Sequence, residues 1–399
     1  PPPPFFQAED GIRDSFIGLV GSEMCIRDRI VILFLCTVFR VSVDPMTVRA
    51  HKGRGAVCAP AGRFEQRPVE FDDDIAHERA EQAPQTTVRS MPASRIISSN
   101  NSPDIPFDLS INPYQGCEHG CVYCYARPSH SYLDLSPGLD FETKIFYKPN
   151  AAALLLGEWE KKNYDCKPIT IGANTDPYQP AEKTHEITRQ LLEQFLEYRH
   201  PVNIITKSNL VSRDIDLLTE LAELGLCSVA FSVPTLDNDL KRVMEPRIPS
   251  GEARLKAMTL LASHGVPTSA LIAPIIPAIN DGEIEAILAA VADAGAKQAS
   301  YIFLRLPHEL DEIFSAWLGA HFPDRKEHVL SLIRQASGGR NYDARFGVRQ
   351  TGRGPYADML ASRFRNASRK LGLDAGSYQH RLDCTRFVKP GVQQLGLDF

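Results

Sequence analysis

The sequence predicts an α/β fold in which six parallel strands, each followed by a helix, form a partial (β/α)6 TIM-like barrel with N- and C-terminal extensions. Short apolar runs rich in β-branched residues occur six times between residues 108 and 306, and helical patterns separate the later ones. Alternating strand and helix units require right-handed crossovers and produce a barrel or a doubly wound sheet. After the sixth strand only helical patterns follow, so two units of a complete eight-stranded barrel are missing.

The six predicted strands lack polar alternation, which indicates that both faces of the sheet are buried. They cover residues 108–112, 168–173, 202–206, 227–233, 266–276 and 298–306. The helical pattern is clearest at Leu217, Leu218, Leu221 and Leu224, whose spacing places one apolar face on a helix. The predicted helices cover residues 151–162, 184–198, 212–223, 250–264, 281–294, 308–321 and 325–336.

The chain divides into four segments. Residues 1–45 are expected to be non-native or untranslated, because the stretches FFQAEDGIRD and VGSEMCIRDR resemble the translated read-through of a sequencing adapter. Residues 46–102 are predicted to form a polar N-terminal extension, 103–340 the core domain, and 341–399 a basic C-terminal extension. The apolar stretch at 30–39 is shorter than the roughly 20 residues that span a bilayer, so no membrane segment is expected.

Composition argues against two classes of protein. A net charge of −5 over 399 residues does not describe a global polycation that binds nucleic acid. Nine cysteines are too few for a disulfide scaffold in a chain of this length, and three of them are clustered at metal-ligand spacing. The pattern favours a reducing compartment, and a cytoplasmic location is predicted.

Two segments are locally basic. The run Lys52-Gly-Arg-Gly-Ala is interpreted as a solvated tail in preference to a phosphate contact. Basic residues interleaved with aromatics near the C-terminus suit nucleic-acid backbone contact and base stacking. An amphipathic helix over 357–371 with solvated arginines is the alternative, and both interpretations remain open. The residues concerned are Arg340, Arg345, Arg349, Arg353, Arg363, Arg365, Arg369 and Lys370, with Tyr342, Phe346, Tyr356 and Phe364.

The most specific motif is a C-x3-C-x2-C run directly after the first predicted strand, formed by Cys117, Cys121 and Cys124. A four-iron four-sulfur (4Fe–4S) cluster is normally held by four cysteines, so three thiolates leave one iron open to bind another molecule. The alternative is a structural zinc site with His119 or His130 as its fourth ligand. Zinc sites usually draw their ligands from two separated pairs, and no second C-x2-C pair exists in the chain. The cluster is therefore favoured.

A three-cysteine loop after the first strand of a six-unit barrel resembles the radical S-adenosylmethionine (SAM) enzymes. The resemblance covers residues 103–340 and includes Tyr123, the aromatic residue before the third cysteine. It implies a 4Fe–4S cluster with three cysteine ligands, whose open iron chelates SAM. One-electron reduction then cleaves SAM to methionine and a 5′-deoxyadenosyl radical, which abstracts hydrogen from a substrate. A reductant such as flavodoxin or ferredoxin is implied as a partner.

Polar residues at the other strand ends resemble the branch that contains spore photoproduct lyase. By that resemblance Asn174, Thr175 or Asp176 holds the SAM amino group, Lys207 meets its carboxylate, and Ser232 binds the same ligand. Tyr123 completes the set of expected cofactor-binding residues. The branch implies a nucleic acid as one candidate substrate. The alternative function, from another class, is a non-catalytic nucleic-acid-binding module stabilised by zinc or by a cluster.

The sequence departs from that branch at one position. The photoproduct lyases use a cysteine near the end of the second strand as hydrogen donor, whereas this chain has Gly172, Ala173 and Asn174 there. Cys166 precedes the strand and is expected at the opposite end of the barrel. Reversal of a thymine photoproduct is therefore not predicted.

Overall fold

The computed structural model describes residues 49–64, 84–373 and 382–391, so the segment predicted to be non-native lies outside the described residues. These ranges contain ten strands and eleven α-helices. The strands are β1 Thr87–Ser90, β2 Ile97–Ser99, β3 Leu109–Ile111, β4 Tyr114–Gln115, β5 Lys144–Tyr147, β6 Ile169–Ile171, β7 Val202–Thr206, β8 Cys227–Ser232, β9 Thr268–Ile275 and β10 Gln298–Phe303. The helices are α1 Leu139–Thr143, α2 Ala151–Trp159, α3 Glu182–His185, α4 Ile187–Glu197, α5 Ile215–Glu223, α6 Asn238–Met244, α7 Gly251–Ser263, α8 Ile284–Asp293, α9 Leu310–His321, α10 Lys326–Ala336 and α11 Pro355–Lys370.

The central sheet has seven strands, in the order β10-β9-β8-β7-β6-β3-β2. Six of them are parallel and follow one another in chain order, and β2 pairs antiparallel with β3 at the edge. These six parallel strands are the six predicted from the sequence, and the partial TIM-like barrel is confirmed. A smaller sheet, β1-β5-β4, lies beside the cysteine loop.

The predicted helices are present with one interruption. The pattern at 184–198 divides into α3 and α4, because Glu186 adopts a left-handed conformation with φ 50° between them. Its position ends one helix and begins the next, so the break reorients the chain after the second strand of the barrel. Among the described residues, no helix is long and apolar enough to cross a membrane.

The two faces of the central sheet differ in polarity, which the lack of polar alternation in the predicted strands did not indicate. One face carries Ile111, Ile171, Ile204 and Phe231, which are fully buried against the helices. The alternate residues of the same strands, read from the strand registers, form the inner face of the barrel. That face mixes small polar residues with apolar ones. It carries Ser110, Thr170, Asn203, Ser228, Ser269 and Ser300, together with Ile205, Ala230 and Leu271. Ser228 donates to Asn203 Oδ1 at 2.6 Å.

The basic Gly-rich run near residue 52 is packed against the core domain, so its interpretation as a solvated tail is wrong. Arg54, Ala56 and Val57 are buried. The backbone N–H groups of Gly55 and Ala56 donate to the Glu142 carboxylate at 3.0 and 2.8 Å. Glycine is required at position 55, because a Cβ atom there would lie 1.8 Å from the Gly120 carbonyl oxygen.

The predicted C-terminal helix is present as α11, and two of the aromatic residues of this region serve its packing. Phe364 is buried and lies 4.8 Å from the ring of Tyr301. Tyr356 donates to Asp281 at 2.7 Å. The chain before α11 runs along the edge of the sheet, where Phe303 N–H donates to the Gln350 carbonyl at 2.7 Å. Only Tyr342 and Phe346 remain as candidates for base stacking.

Candidate active site

The cysteine loop follows β4 and lies at the carboxyl end of the sheet, where barrel enzymes carry their chemistry. Two short turns shape it, with Gly120 N–H donating to the Cys117 carbonyl and Cys124 N–H to the Cys121 carbonyl, both at 3.3 Å. Gly120 has φ 67°, and a Cβ atom on it would lie 2.7 Å from Glu142 Oε2. The two turns therefore fix the backbone between the first and third cysteines, which lie within eight residues of one another.

A fully buried ion pair packs against this loop and bonds to its backbone. The Arg127 guanidinium bonds directly to Glu142, and neither side chain is exposed. Arg127 also donates to the carbonyls of Cys121 and Gly138, both at 2.8 Å. Burying the pair is tolerable because nearly every donor and acceptor of both groups is used. Sequence reasoning missed these residues, since nothing in the order of the chain pairs position 127 with position 142.

The three thiols form a donor set that fits an iron–sulfur cluster. Burial raises the pKa of Cys117, Cys121 and Cys124. The negative charge of Asp176, and after it those of Cys121 and Cys124 as thiolates, raise the pKa of Cys117 further, so the three cysteines lie within electrostatic reach of one another. A coordinating metal removes the thiol proton outright. No three His, Cys, Asp or Glu side chains of the described residues already stand at metal-ligand spacing, so ligation by these thiolates belongs to the proposal below.

Thr175 and Asp176, two of the predicted SAM contacts, are bound to other parts of the protein. Asp176 accepts from Thr206 Oγ1 at 2.8 Å and from Lys207 N–H at 2.7 Å, and His119 Nδ1 lies 3.3 Å away. Burial would raise the pKa of Asp176, but the His119 charge and these hydrogen bonds more than offset it and lower the pKa. Thr175 is buried and donates to the Tyr114 carbonyl at 2.7 Å.

Asn174 differs from its two neighbours. Its backbone N–H donates to Asn112 Oδ1 at 2.8 Å, while its half-buried side chain has no hydrogen-bond partner among the described residues. Asn174 and Lys207 follow the carboxyl ends of β6 and β7, and Ser232 ends β8, the next strand of the sheet. Of the three strand-two candidates, Asn174 therefore has the side chain that is free to bind a ligand.

Lys207 and Ser232 lie together beside the cysteine loop. Lys207 Nζ donates to Ser232 Oγ and lies 5.7 Å from the centre of the Tyr123 ring. Ser232 in turn donates to the Ala273 carbonyl at 3.1 Å. A primary ammonium, a hydroxyl and an aromatic face thus meet at one point of the inner face, where a carboxylate-bearing ligand would be complemented.

A second buried ion pair joins this point to the cysteine loop. Tyr123 donates its hydroxyl hydrogen to Glu245, and Arg254 Nη2 lies 2.7 Å from the other oxygen of Glu245. Arg254 Nη1 donates to the Ser232 carbonyl at 2.8 Å. Burial would raise the pKa of Glu245, but the charges of Arg254 and then Lys207 offset it and lower the pKa. The pair therefore fixes the loop relative to the end of β8.

An arginine and two tyrosines form the rim of the barrel mouth. The guanidinium of Arg305, just after β10, lies 5.7 Å from the Tyr125 ring and 5.8 Å from the Tyr342 ring. Tyr125 follows the third cysteine, is 40% exposed, and donates to the Ala173 carbonyl. We call these three residues the aromatic rim. Phe346, which is 54% exposed, lies instead beside the Arg349 guanidinium at 4.6 Å.

Comparison with known proteins agrees with this geometry. The family model described as the radical SAM superfamily matches residues 111–291. An uncharacterised protein of Mycobacterium tuberculosis H37Rv is 34% identical over 237 residues, which cover 59% of this chain and 70% of that protein. An uncharacterised protein of Methanocaldococcus jannaschii is 33% identical over 174 residues, 43% of this chain and 62% of that protein.

Among solved structures, spore photoproduct lyase complexed with dinucleoside spore photoproduct is similar in fold. Its TM-score is 0.54 at 15% sequence identity, with 78% of this chain and 86% of that chain covered. A mutant of the same enzyme with bound AdoMet and dinucleoside spore photoproduct has a TM-score of 0.53, at the same identity and coverage. The family model that matches residues 111–291, the three-cysteine loop and the fold lead to one conclusion. This chain is an enzyme of the radical SAM superfamily.

Proposed function

We propose that the protein cleaves SAM reductively at a 4Fe–4S cluster held by Cys117, Cys121 and Cys124, and that its substrate is a nucleic acid. The observation that carries the first part is the position of Cys117, Cys121 and Cys124, the first two of them buried, at the carboxyl end of the barrel near the Lys207–Ser232 pair. When bound, the cluster supplies the electron that cleaves SAM to methionine and a 5′-deoxyadenosyl radical, which abstracts hydrogen from the substrate. The protein's own groups bind and orient SAM, and they exclude water from the site.

The polar residues around the cysteine loop have different roles in binding SAM. Lys207 is suited to the carboxylate of SAM, because its ammonium is held by Ser232 and is not consumed by a protein carboxylate. Ser232 and the Asn174 amide offer hydrogen bonds beside it. Tyr123, which is buried and bonded to Glu245, excludes water from the same corner. Asp176 and Thr175 hold the loop after β6 in place through their hydrogen bonds.

A nucleic-acid substrate is supported by the inner face and by the aromatic rim. Among its apolar residues the inner face offers the hydroxyls of Ser110, Thr170 and Ser228 and the amide of Asn203, and these neutral groups suit a base or a sugar better than a phosphate. The rim offers Arg305 with exposed aromatic rings, which suit backbone contact and base stacking. Spore photoproduct lyase, which shares the fold, has been solved with a dinucleoside lesion.

The reaction differs from that of the lyase if a cysteine donor is essential there. Gly172, Ala173 and Asn174 end the second strand, and Cys166 lies at the amino end, beside the Lys167–Asp108 ion pair at 3.0 Å. The Cys227 thiol faces α5 and donates to the Leu218 carbonyl at 3.3 Å. Radical transfer therefore ends on a group other than a cysteine of these strands.

The first test is reconstitution of the cluster under anaerobic conditions, followed by measurement of iron and 5′-deoxyadenosine. The wild type should be brown, hold about four iron per chain, and form 5′-deoxyadenosine from SAM and dithionite. Cys121→Ala should lose both properties. Cys227→Ala, the matched control, should keep them, because its thiol packs against α5. A colourless wild type, or full activity in Cys121→Ala, would refute the assignment.

The second test addresses the substrate. Fluorescence anisotropy of a single-stranded oligonucleotide should show weaker binding by Arg305→Met and Tyr342→Ala, with the salt slope reduced by about one for the arginine variant. Arg386→Met, which removes an exposed charge remote from the rim, should bind as the wild type does. Equal effects of the two arginine variants, or a flat salt dependence in the wild type, would remove the nucleic acid from the proposal.

A further inference from the structure

The C-terminal segment, residues 382–391, lies against the amino end of the barrel, opposite the end that carries the cysteine loop. Two backbone hydrogen bonds hold it there. Asp383 N–H donates to the Gly225 carbonyl at 3.2 Å, and Val388 N–H donates to the Tyr198 carbonyl at 2.8 Å. Gly225 precedes β8 and Tyr198 precedes β7. The segment therefore crosses the loops that enter two neighbouring strands.

Side chains fix the same segment beside the loop that enters β6. The Phe387 ring lies 5.0 Å from the His200 ring and 5.7 Å from the Tyr164 ring. Lys389 Nζ donates to the Lys161 carbonyl at 2.6 Å. Lys161 and Tyr164 both belong to the loop between α2 and β6. The position of the C-terminal segment relative to this loop is therefore set by several independent contacts.

Two cysteines face each other where the loop and the C-terminal segment touch. Cys166 lies in the loop, and Cys384 lies in the C-terminal segment, three residues before Phe387. Their thiols are within hydrogen-bonding reach of each other. Both cysteines are free and half-buried, so a small solute can reach them. Because a disulfide forms only where the fold already brings two cysteines close together, this pair meets the first requirement for one.

The surroundings of the pair determine how its thiols react. Burial, followed by the charge of Cys384 as a thiolate, raises the pKa of Cys166. Burial also raises the pKa of Cys384; the hydrogen bond to Cys166 opposes this rise, and the charges of Asp383 and Asp165 add to it. The thiolate is the attacking species, so the first attack on an oxidant is slow. The second thiol is already adjacent, so the step that follows is intramolecular and a mixed disulfide does not accumulate.

We propose that Cys166 and Cys384 form a reversible disulfide that links the C-terminal segment to the amino end of the barrel when the protein encounters a small disulfide oxidant such as oxidised glutathione. One protein thiolate attacks a sulfur of oxidised glutathione, which forms a mixed disulfide and releases one glutathione. The other protein thiolate then attacks the protein sulfur of that mixed disulfide and releases the second glutathione. The two protein thiols lose two electrons and two protons, and the oxidant takes up both. This modification site is separate from the cysteine loop and goes beyond the function proposed above.

The test is peptide mapping of the reconstituted full-length protein after incubation with oxidised glutathione. Remaining thiols are blocked at low pH, the protein is digested with trypsin, and the peptides are identified by mass spectrometry. The peptide Leu382–Arg386 should be linked to the peptide that contains Cys166, and dithiothreitol should separate them. The linked form should exceed the glutathione adducts of these two cysteines about tenfold, because the second thiol acts at a high effective concentration.

Variants separate this pairing from general thiol oxidation. Cys166→Ser and Cys384→Ser should each accumulate the glutathione adduct on the remaining cysteine. Cys227→Ala, which removes a buried thiol bonded to the Leu218 carbonyl, should form the link as the wild type does. The urea midpoint of the wild type should rise when the link forms, since a disulfide restricts the unfolded chain, and that of Cys384→Ser should be the same with and without oxidant.

Four results would overturn the inference. The wild type could form no link between Cys166 and Cys384, or it could accumulate glutathione adducts on both cysteines in place of the link. The link could form equally well in unfolding concentrations of urea, which would show that the fold does not bring the thiols together. Finally, Cys384→Ser could show the same oxidant-dependent rise in urea midpoint as the wild type, which would assign the rise to another group.

Discussion

Removing both members of the buried Glu245–Arg254 pair should destabilise the protein no more than the costlier of the two single replacements. Neither side chain is exposed, and their nearest atoms are 2.7 Å apart. Glu245→Gln leaves the Arg254 charge buried with the Ser232 carbonyl as its remaining partner, at a cost of about 3 kcal/mol. Arg254→Met leaves an anionic Glu245 and an unsatisfied carbonyl, at a cost of about 4 kcal/mol. The double variant has no orphaned charge and should cost no more than the larger single, a coupling of about 3 kcal/mol.

The assay is urea unfolding followed by circular dichroism for the four members of the cycle. Arg363→Met, which breaks an exposed pair with Glu285, is the control and should cost less than about 1 kcal/mol. The wild-type pKa of Glu245 is lowered, so its stabilising effect is lost as pH falls. In Arg254→Met that pKa should rise above the unfolded value, so the variant should be closer to wild type at pH 5 than at pH 8. Additive single costs, with a coupling below about 0.5 kcal/mol, would refute the reasoning.

Two further predictions concern packing and acid stability. Gly55→Ala should make the N-terminal segment sensitive to limited proteolysis, because its Cβ atom would meet the Gly120 carbonyl oxygen at 1.8 Å. Gly157→Ala, in α2 with nothing within 4 Å of the new methyl, should instead stabilise the protein by about 0.5–1 kcal/mol. Equal protection of both variants from the protease would contradict the packing argument. Burial lowers the pKa of His200 to about 4, so the unfolded state takes up its proton first as pH falls, and stability should decline between pH 6.5 and 4 by up to about 3 kcal/mol. His200→Phe should flatten that decline in urea midpoints measured across this range, and an unchanged slope would contradict the prediction.

The strands and the cysteine loop could be predicted because their signals are local. Each buried strand is a short run of β-branched residues, and the three cysteines are close in sequence. The inner face of the sheet could not be predicted in the same way. Ser110, Thr170 and Ser228 interrupt apolar runs only singly, so the strands resemble fully apolar ones until their registers align these residues. The alternation of polar and apolar residues becomes visible only when neighbouring strands are aligned.

The roles of individual site residues depended on partners distant in sequence. Asp176 is an attractive ligand in isolation, but its oxygens are bound by Thr206, Lys207 and His119. Arg54 was interpreted as part of a tail, yet it donates to the Glu142 carbonyl at 3.1 Å, 88 residues away. Charged and polar residues carry no periodic signal, so their pairing follows from the way the strands and loops are brought together.

The sequence by itself determined the six-stranded parallel barrel, the helix after it, and a three-thiol loop at the end of the first strand. These features follow from hydrophobic periodicity and from covalent spacing, which are properties of short segments. The tertiary structure alone decided which side chains are free to bind a ligand and which are used to hold the loops in place. Those outcomes depend on burial and on ion pairs across the fold, such as Arg127–Glu142 and Arg254–Glu245, because a buried charge is stable only where the folded chain supplies its partner.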